Sequence, residues 1–186
     1  MTESEIKLAV ASLDPVRGFL AATGGRMLHQ LAFEDNVVFD DAAGTLRQGG
    51  RLLRLRTWAG TQVLTFKGPA TFVGSVKQRR ELETEIGDGE TFGVILGELG
   101  LRPVRRYQKR RELWQVDRAL VALDETPMGC FVELEGNDVD LPALARGLGL
   151  DPSQALRGTY LELWNDHRAL HPEAPADMVF GGDAAG

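Results

Sequence analysis

The sequence predicts an α+β domain dominated by an antiparallel β-sheet, on three observations. Eight short segments carry strand-like alternation, turn signals separate them, and four other stretches have helical period and caps. Closing such a sheet into a barrel would remove its exposed edges.

The first strand runs from Glu3 to Ala11. Asp14-Pro15 opens an amphipathic helix to Ala22, with Asp14 as its N-cap and Gly24-Gly25 as its stop. A short strand follows at Asn36–Asp40, then strands at Arg51–Trp58, Gln62–Lys67, Gln78–Ile86, Val104–Val116, Ala119–Leu123 and Cys130–Glu135. Gly49-Gly50, Gly60, Gly68-Pro69 and Gly87-Asp88-Gly89 mark the turns. Further helices are predicted at Glu90–Leu99, Asp140–Leu148 and Gly158–Trp164. These elements form one domain over residues 1–170, and the tail 171–186, ending Gly-Gly-Asp-Ala-Ala-Gly, is expected to be disordered.

With 186 residues, 43% of them hydrophobic, the chain can bury one sizeable core and not two. Its net charge of −6 argues against a nucleic-acid binder. No apolar run approaches the roughly 20 residues of a membrane helix, and no signal peptide is apparent, so a cytoplasmic location is expected. The single cysteine, Cys130, has no internal partner and reads as core packing, and His29, His167 and His171 lack zinc-ligand spacing. Trp58, Trp114 and Trp164 read as packing residues at element ends, and Asp40 as a turn cap.

The informative feature is charge at spacing two, because residues i, i+2 and i+4 of a strand share a face. Glu3, Glu5 and Lys7 lie on one face, as do Arg54 with Arg56, Arg79 with Glu81 and Glu83, Lys109 with Arg111, and Glu133 with Glu135. Lys67 and Asp124 each end a strand. The opposite faces carry Ile6, Leu53, Leu55, Leu82, Val132 and Leu134, for which the amphipathic helices are the expected cover. Like charges in succession repel unless something neutralises them. A barrel with a charged interior would supply partners, a divalent metal for the carboxylates and phosphate for the basic groups.

The same residues resemble the CYTH superfamily of triphosphate tunnel metalloenzymes, which includes thiamine triphosphatases, inorganic tripolyphosphatases and class IV adenylyl cyclases. Glu3-Ser4-Glu5-Ile6-Lys7 is similar to its N-terminal Glu-x-Glu-x-Lys, and Asn36-Val37-Val38-Phe39-Asp40 to its Asn-x-Tyr-Phe-Asp strand, with Val38 replacing the aromatic. Leu53-Arg54-Leu55-Arg56, the strand ending at Lys67, Arg79-Arg80-Glu81-Leu82-Glu83, Lys109-Arg110-Arg111, Leu123-Asp124-Glu125 and Phe131-Val132-Glu133-Leu134-Glu135 follow in the family's order. Gly158-Thr159-Tyr160 stands where the family has Ser-Tyr.

The resemblance implies an eight-stranded antiparallel barrel with flanking helices and a small-molecule triphosphate as substrate. It assigns Mg²⁺ or Mn²⁺ to Glu3, Glu5, Asp124, Glu133 and Glu135, and the triphosphate to Lys7, Arg54, Arg56, Lys67, Lys109 and Arg111. Glu3, Glu5, Glu81 and Glu83 are the candidates for handling the attacking water, with Arg79 and Tyr160 weaker candidates for the site. Hydrolysis of inorganic tripolyphosphate is the favoured activity, thiamine triphosphate or a nucleotide coming next. The alternatives are cyclisation of ATP and a non-catalytic polyphosphate- or nucleotide-binding module. No membrane or nucleic-acid partner is expected, and an exposed barrel flank leaves room for a homodimer.

Overall fold

The structure, a computed structural model, describes residues 2–181. Among them eight strands pair antiparallel: β1 (Thr2–Val10), β2 (Arg26–Asp40), β3 (Leu52–Trp58), β4 (Thr61–Val73), β5 (Val76–Glu85), β6 (Arg102–Val116), β7 (Ala119–Thr126) and β8 (Gly129–Glu135). They close into a barrel in the order β1-β5-β4-β3-β2-β6-β7-β8. Helices α1 (Asp14–Ala22), α2 (Thr45–Gln48), α3 (Gly89–Glu98), α4 (Leu141–Gly147) and α5 (Tyr160–Leu170) flank it. None of the described helices is long and apolar enough to cross a membrane.

The apolar strand faces point outward under helices. Ile6, Leu123, Val132 and Leu134 are sealed beneath α1 and α4, which contribute Val16, Leu20, Leu141 and Ala145. Each such burial contributes about 1.5–3 kcal/mol. Leu55 and Phe39 pack under Leu96 of α3. Leu82, expected to be covered, stays 47% exposed and belongs to none of the three apolar clusters among the described residues. Cys130 is half-buried against the first of these cores.

Several boundaries differ from expectation for identifiable reasons. The strand expected at Asn36–Asp40 begins at Arg26, since backbone pairing with β6 carries it through a stretch exposed on both faces that shows no alternation. The strand expected to stop at Lys67 runs to Val73, because a register irregularity between Lys67 and Ala70 absorbs Pro69 as a bend. Asp14 is the first helical residue of α1 rather than its cap, and Leu13 at the cap position supplies no side-chain oxygen. Asp40 holds the following turn as expected, accepting hydrogen bonds from the amides of Asp41, Leu46 and Arg47 at 2.9, 2.9 and 3.0 Å.

The segment from His171 is seated on the barrel as far as it is described. The Met178 amide donates to the Arg106 carbonyl at 3.2 Å, the Met178 carbonyl accepts from the Gln108 amide at 2.7 Å, and the Met178 side chain is fully buried. Backbone pairing and one buried methionine outweigh the entropy that composition alone suggests. The expected disorder of residues 182–186 lies outside the described residues.

Candidate active site

Alternation turns the charged face of each strand inward, and barrel closure brings the stripes together. Lys7 faces Glu133 and Glu5 faces Glu135 across the β1–β8 ladder, while Glu5 faces Lys77 across β1–β5. Lys67 opposes Glu81, Arg111 opposes Asp124, and Lys109 opposes Glu34. The enclosed cavity has a volume of about 220 Å³. It is lined by eight basic side chains (Lys7, Arg54, Arg56, Lys67, Lys77, Arg79, Lys109, Arg111) and six carboxylates (Glu3, Glu5, Glu81, Glu83, Glu133, Glu135). Every site residue expected from the sequence is among them except Asp124.

Most cations are held by carboxylates. Lys7 Nζ lies 2.8 Å from Glu133, Lys77 Nζ 3.0 Å from Glu5, and Lys67 Nζ 2.6 Å from Glu81. Arg54 donates to Thr65 Oγ1 at 3.0 Å and to the Tyr107 hydroxyl at 3.1 Å, with Glu83 at 3.5 Å. Arg111 donates to both oxygens of Asp124 at 2.7 Å and also bonds Glu133. Arg56 differs: it makes no hydrogen bond or ion pair among the described residues, and its guanidinium lies 5.8 Å from the Trp58 ring centre.

Asp124 has a structural setting. It is fully buried and accepts from Lys109 at 2.9 Å, from Arg111, and from the Tyr160 hydroxyl at 2.6 Å. Across the β7–β8 ladder Leu120 meets Glu135 and Ala122 meets Glu133, so Asp124 sits four residues, roughly 13 Å, along the strand from the level of Glu135. Tyr160 begins α5 behind a capping box formed by Thr159 and Glu162, which points its ring at Lys7 (4.3 Å) and Lys109 (4.8 Å).

Negative charge is unbalanced elsewhere in the cavity. No ion pair among the described residues involves Glu3 or Glu135. Burial, repulsion from Glu135 and a hydrogen bond with Glu81 push the Glu3 carboxyl up to about 10. Burial likewise raises Glu135, and together with repulsion from Glu133 and Glu5 it outweighs the pull of Arg111 and Lys67. Glu133 behaves oppositely: burial would raise it, but Lys7, Lys109 and Arg111 hold it well below the usual carboxylate range.

As the side chains stand, no three metal-binding groups converge among the described residues. The donor chemistry nevertheless suits a hard divalent cation, because Glu3 and Glu135 crowd acidic oxygens on adjacent strands without a basic partner, beside Glu5. Asp124 and Glu133 are both engaged by basic groups, Asp124 by Lys109 and Arg111 together with the Tyr160 hydroxyl and Glu133 by Lys7, Lys109 and Arg111, and of the two Glu133 lines the cavity.

Reading the sequence missed Glu34, Lys77, Thr65 and Tyr107. Lys77 lies two residues before Arg79, and Glu34 two before Asn36, so the same alternation would have found both had the strands been started earlier. Trp114 and Trp164 are packing residues, 5% and 3% exposed, but Trp58 lines the cavity with Leu113 and Leu120 beside an exposed His29, the two rings 4.7 Å apart. The turn at Ala59 (φ 49°) and Gly60 (φ 79°) closes β3 onto β4 directly after this tryptophan, and the second position suits a residue without a side chain.

The sequence profile of the CYTH domain family matches residues 1–146. A protein of Methanocaldococcus jannaschii named as a candidate adenylate cyclase is 27% identical over 174 residues, covering 88% of this chain and 98% of that one. A solved structure of a candidate adenylate cyclase from Vibrio parahaemolyticus superposes with a TM-score of 0.79 at 22% identity, covering 89% of this chain and 98% of the other. One from Hippeastrum, described as a candidate adenylyl cyclase that reveals a dominant triphosphatase activity, has a TM-score of 0.65 at 18% identity, with 89% and 96% covered.

Proposed function

From the premise that this chain belongs to the CYTH domain family, we propose that it binds a small triphosphate in the barrel and hydrolyses one phosphoanhydride bond with the help of a divalent metal. One observation carries the reading: eight basic side chains face one small cavity and most are held by carboxylates, an arrangement in which a polyanion can take the place of the acids. A triphosphate offers charge-assisted hydrogen bonds to Lys7, Arg54, Arg56, Lys67, Lys109 and Arg111, and Arg supplies the planar fork that suits phosphate oxygens.

Glu3, Glu5 and Glu135 would hold the Mg²⁺ or Mn²⁺, joined by Glu133 once phosphate has taken its place at Lys7, Lys109 and Arg111, and the metal would supply neutralisation of phosphate charge and polarisation of the phosphorus–oxygen bonds. The protein's own contribution is positioning. Glu83, tethered to Thr65 Oγ1 at 2.7 Å and still 44% exposed, and Glu81 beside it can orient a water in line with the terminal phosphorus. The water oxygen bonds to phosphorus, the bridging P–O bond breaks, and the water proton passes to a carboxylate, giving orthophosphate and pyrophosphate from tripolyphosphate.

Cyclisation of ATP is the second reading. It is supported by the names of the relatives and by Trp58, Leu113 and Leu120, a half-buried apolar rim at which a nucleoside could rest. Incubation with tripolyphosphate, thiamine triphosphate or ATP and Mg²⁺ or Mn²⁺, with all products resolved by chromatography, separates the possibilities. Orthophosphate and pyrophosphate from tripolyphosphate are expected, with ATP a poorer substrate. Cyclic AMP with stoichiometric pyrophosphate as the main product would replace hydrolysis by cyclisation, and binding without turnover would leave a non-catalytic module.

A further inference from the structure

Glu34 on β2 is fully buried and does not line the cavity, yet it stands against two of the basic groups that do. Its Oε1 lies 3.5 Å from Lys109 Nζ and its Oε2 3.9 Å from Arg111 Nε. Asn36, also fully buried, donates from Nδ2 to Glu34 Oε1 at 3.0 Å and to the Tyr107 carbonyl at 3.4 Å, which fixes the carboxylate. Strand β6 runs between β2 and β7, so Lys109 and Arg111 are bracketed: Glu34 pulls from one neighbouring strand and Asp124 from the other.

We infer that Glu34, oriented by Asn36, is a positioning residue that keeps Lys109 and Arg111 aimed into the cavity by balancing the pull of Asp124. A buried carboxylate is costly unless basic groups surround it. Lys109, Arg111, Arg54 and Arg56 overcome the upward push of burial and bring Glu34 down to about 2. The inference rests on the proposed triphosphate site: when a polyanion displaces Glu133, the acid shared by Lys109 and Arg111 that lines the cavity among the described residues, the two bracketing acids remain. Without Glu34 both heads lean towards β7.

The test is Glu34→Gln, isosteric and neutral, beside the exchanged pair Glu34→Gln/Asn36→Asp, which keeps both the hydrogen bond and the charge within β2. For tripolyphosphate, Glu34→Gln is expected to lower kcat by about tenfold through misaligned contacts, with KM unchanged or lower because a negative charge near a polyanion has been removed. The exchanged pair should return kcat towards wild type, a recovery that a purely structural role does not predict. Independently of turnover, the Lys109 ammonium ¹⁵N–¹H resonance should be visible in wild type, broadened in Glu34→Gln and restored in the exchanged pair. An unchanged kcat in Glu34→Gln, a raised KM alone, or an exchanged pair that folds but stays as slow as the single variant would overturn the inference. If Glu34→Gln fails to fold, the exchanged pair against wild type decides. If the wild type hydrolyses no triphosphate, the proposed function fails while the resonance still decides this point.

Discussion

Arg56→Ala separates phosphate contact from folding more cleanly than any other substitution in the cavity. Its guanidinium has no hydrogen bond or ion pair among the described residues, only the face of Trp58 at 5.8 Å. Removal leaves buried Glu34 its nearer partners Lys109 and Arg111, with Arg56 the smallest of the four basic influences on it, and the stability change should stay within about 1 kcal/mol, the scale of an exposed cation–π contact. A charge-assisted contact to phosphate contributes about 1.5–3 kcal/mol, which corresponds to a loss of about 10- to 150-fold in kcat/KM. Arg111→Ala is the contrast, because it leaves fully buried Asp124 and nearly buried Glu133 short of a partner and should destabilise by about 3–5 kcal/mol. The assay is phosphate release from tripolyphosphate across substrate concentrations, with thermal melts of both variants. A kcat/KM for Arg56→Ala within roughly twofold of wild type, or a melting temperature as low as that of Arg111→Ala, would refute the assignment of Arg56 to the triphosphate.

Chelation should abolish turnover and Mg²⁺ or Mn²⁺ restore it, measured as phosphate release; full activity in excess EDTA removes the metal from the proposal. Glu135→Gln should stop catalysis with the fold intact, since no ion pair of Glu135 is lost, whereas Glu133→Gln breaks contacts to Lys7 and Arg111 and should lower the melting temperature as well. Glu3 is held at about 10 against an ordinary 4.5, so between those values the folded chain carries a proton that the unfolded chain lacks. Stability must therefore fall as pH rises through that window, and Glu3→Gln should flatten the dependence, read from melts at pH 6 and 9. Millimolar tripolyphosphate should raise the melting temperature of the wild type by linkage, and the absence of any shift would count against a triphosphate site.

The barrel was legible because its signal is local. Leu53, Arg54, Leu55 and Arg56 alternate within four residues, and their burial confirms the reading: Arg54 faces the cavity while Leu55 lies under α3. Arg26–Leu31 carries no comparable signal, since pairing with β6 holds it extended while both faces stay largely exposed. Shortening β2 on that account concealed Glu34, the residue that brackets Lys109. Pro69 misled in the other direction, because its missing amide can be accommodated where the ladder is irregular.

The site was legible as a list of charges but not as a set of pairs, and Asp124 shows why. From sequence it is an acid at the end of a strand, as eligible for a metal as Glu133. Its partner Arg111 lies on another strand, and only the β6–β7 register brings the two side chains face to face. A further contact comes from Tyr160 of α5, 36 residues away in the chain. The same logic distinguishes Glu135 from Glu133, which lie two residues apart on one face: Lys7 opposes Glu133 across the ladder, whereas Glu5 opposes Glu135. A basic partner ties one acid down, and an acidic one leaves the other crowded. Sequence pattern therefore identifies which residues face the cavity, whereas the neighbour across each ladder decides whether an acid there is a counter-charge or a group available to a cation.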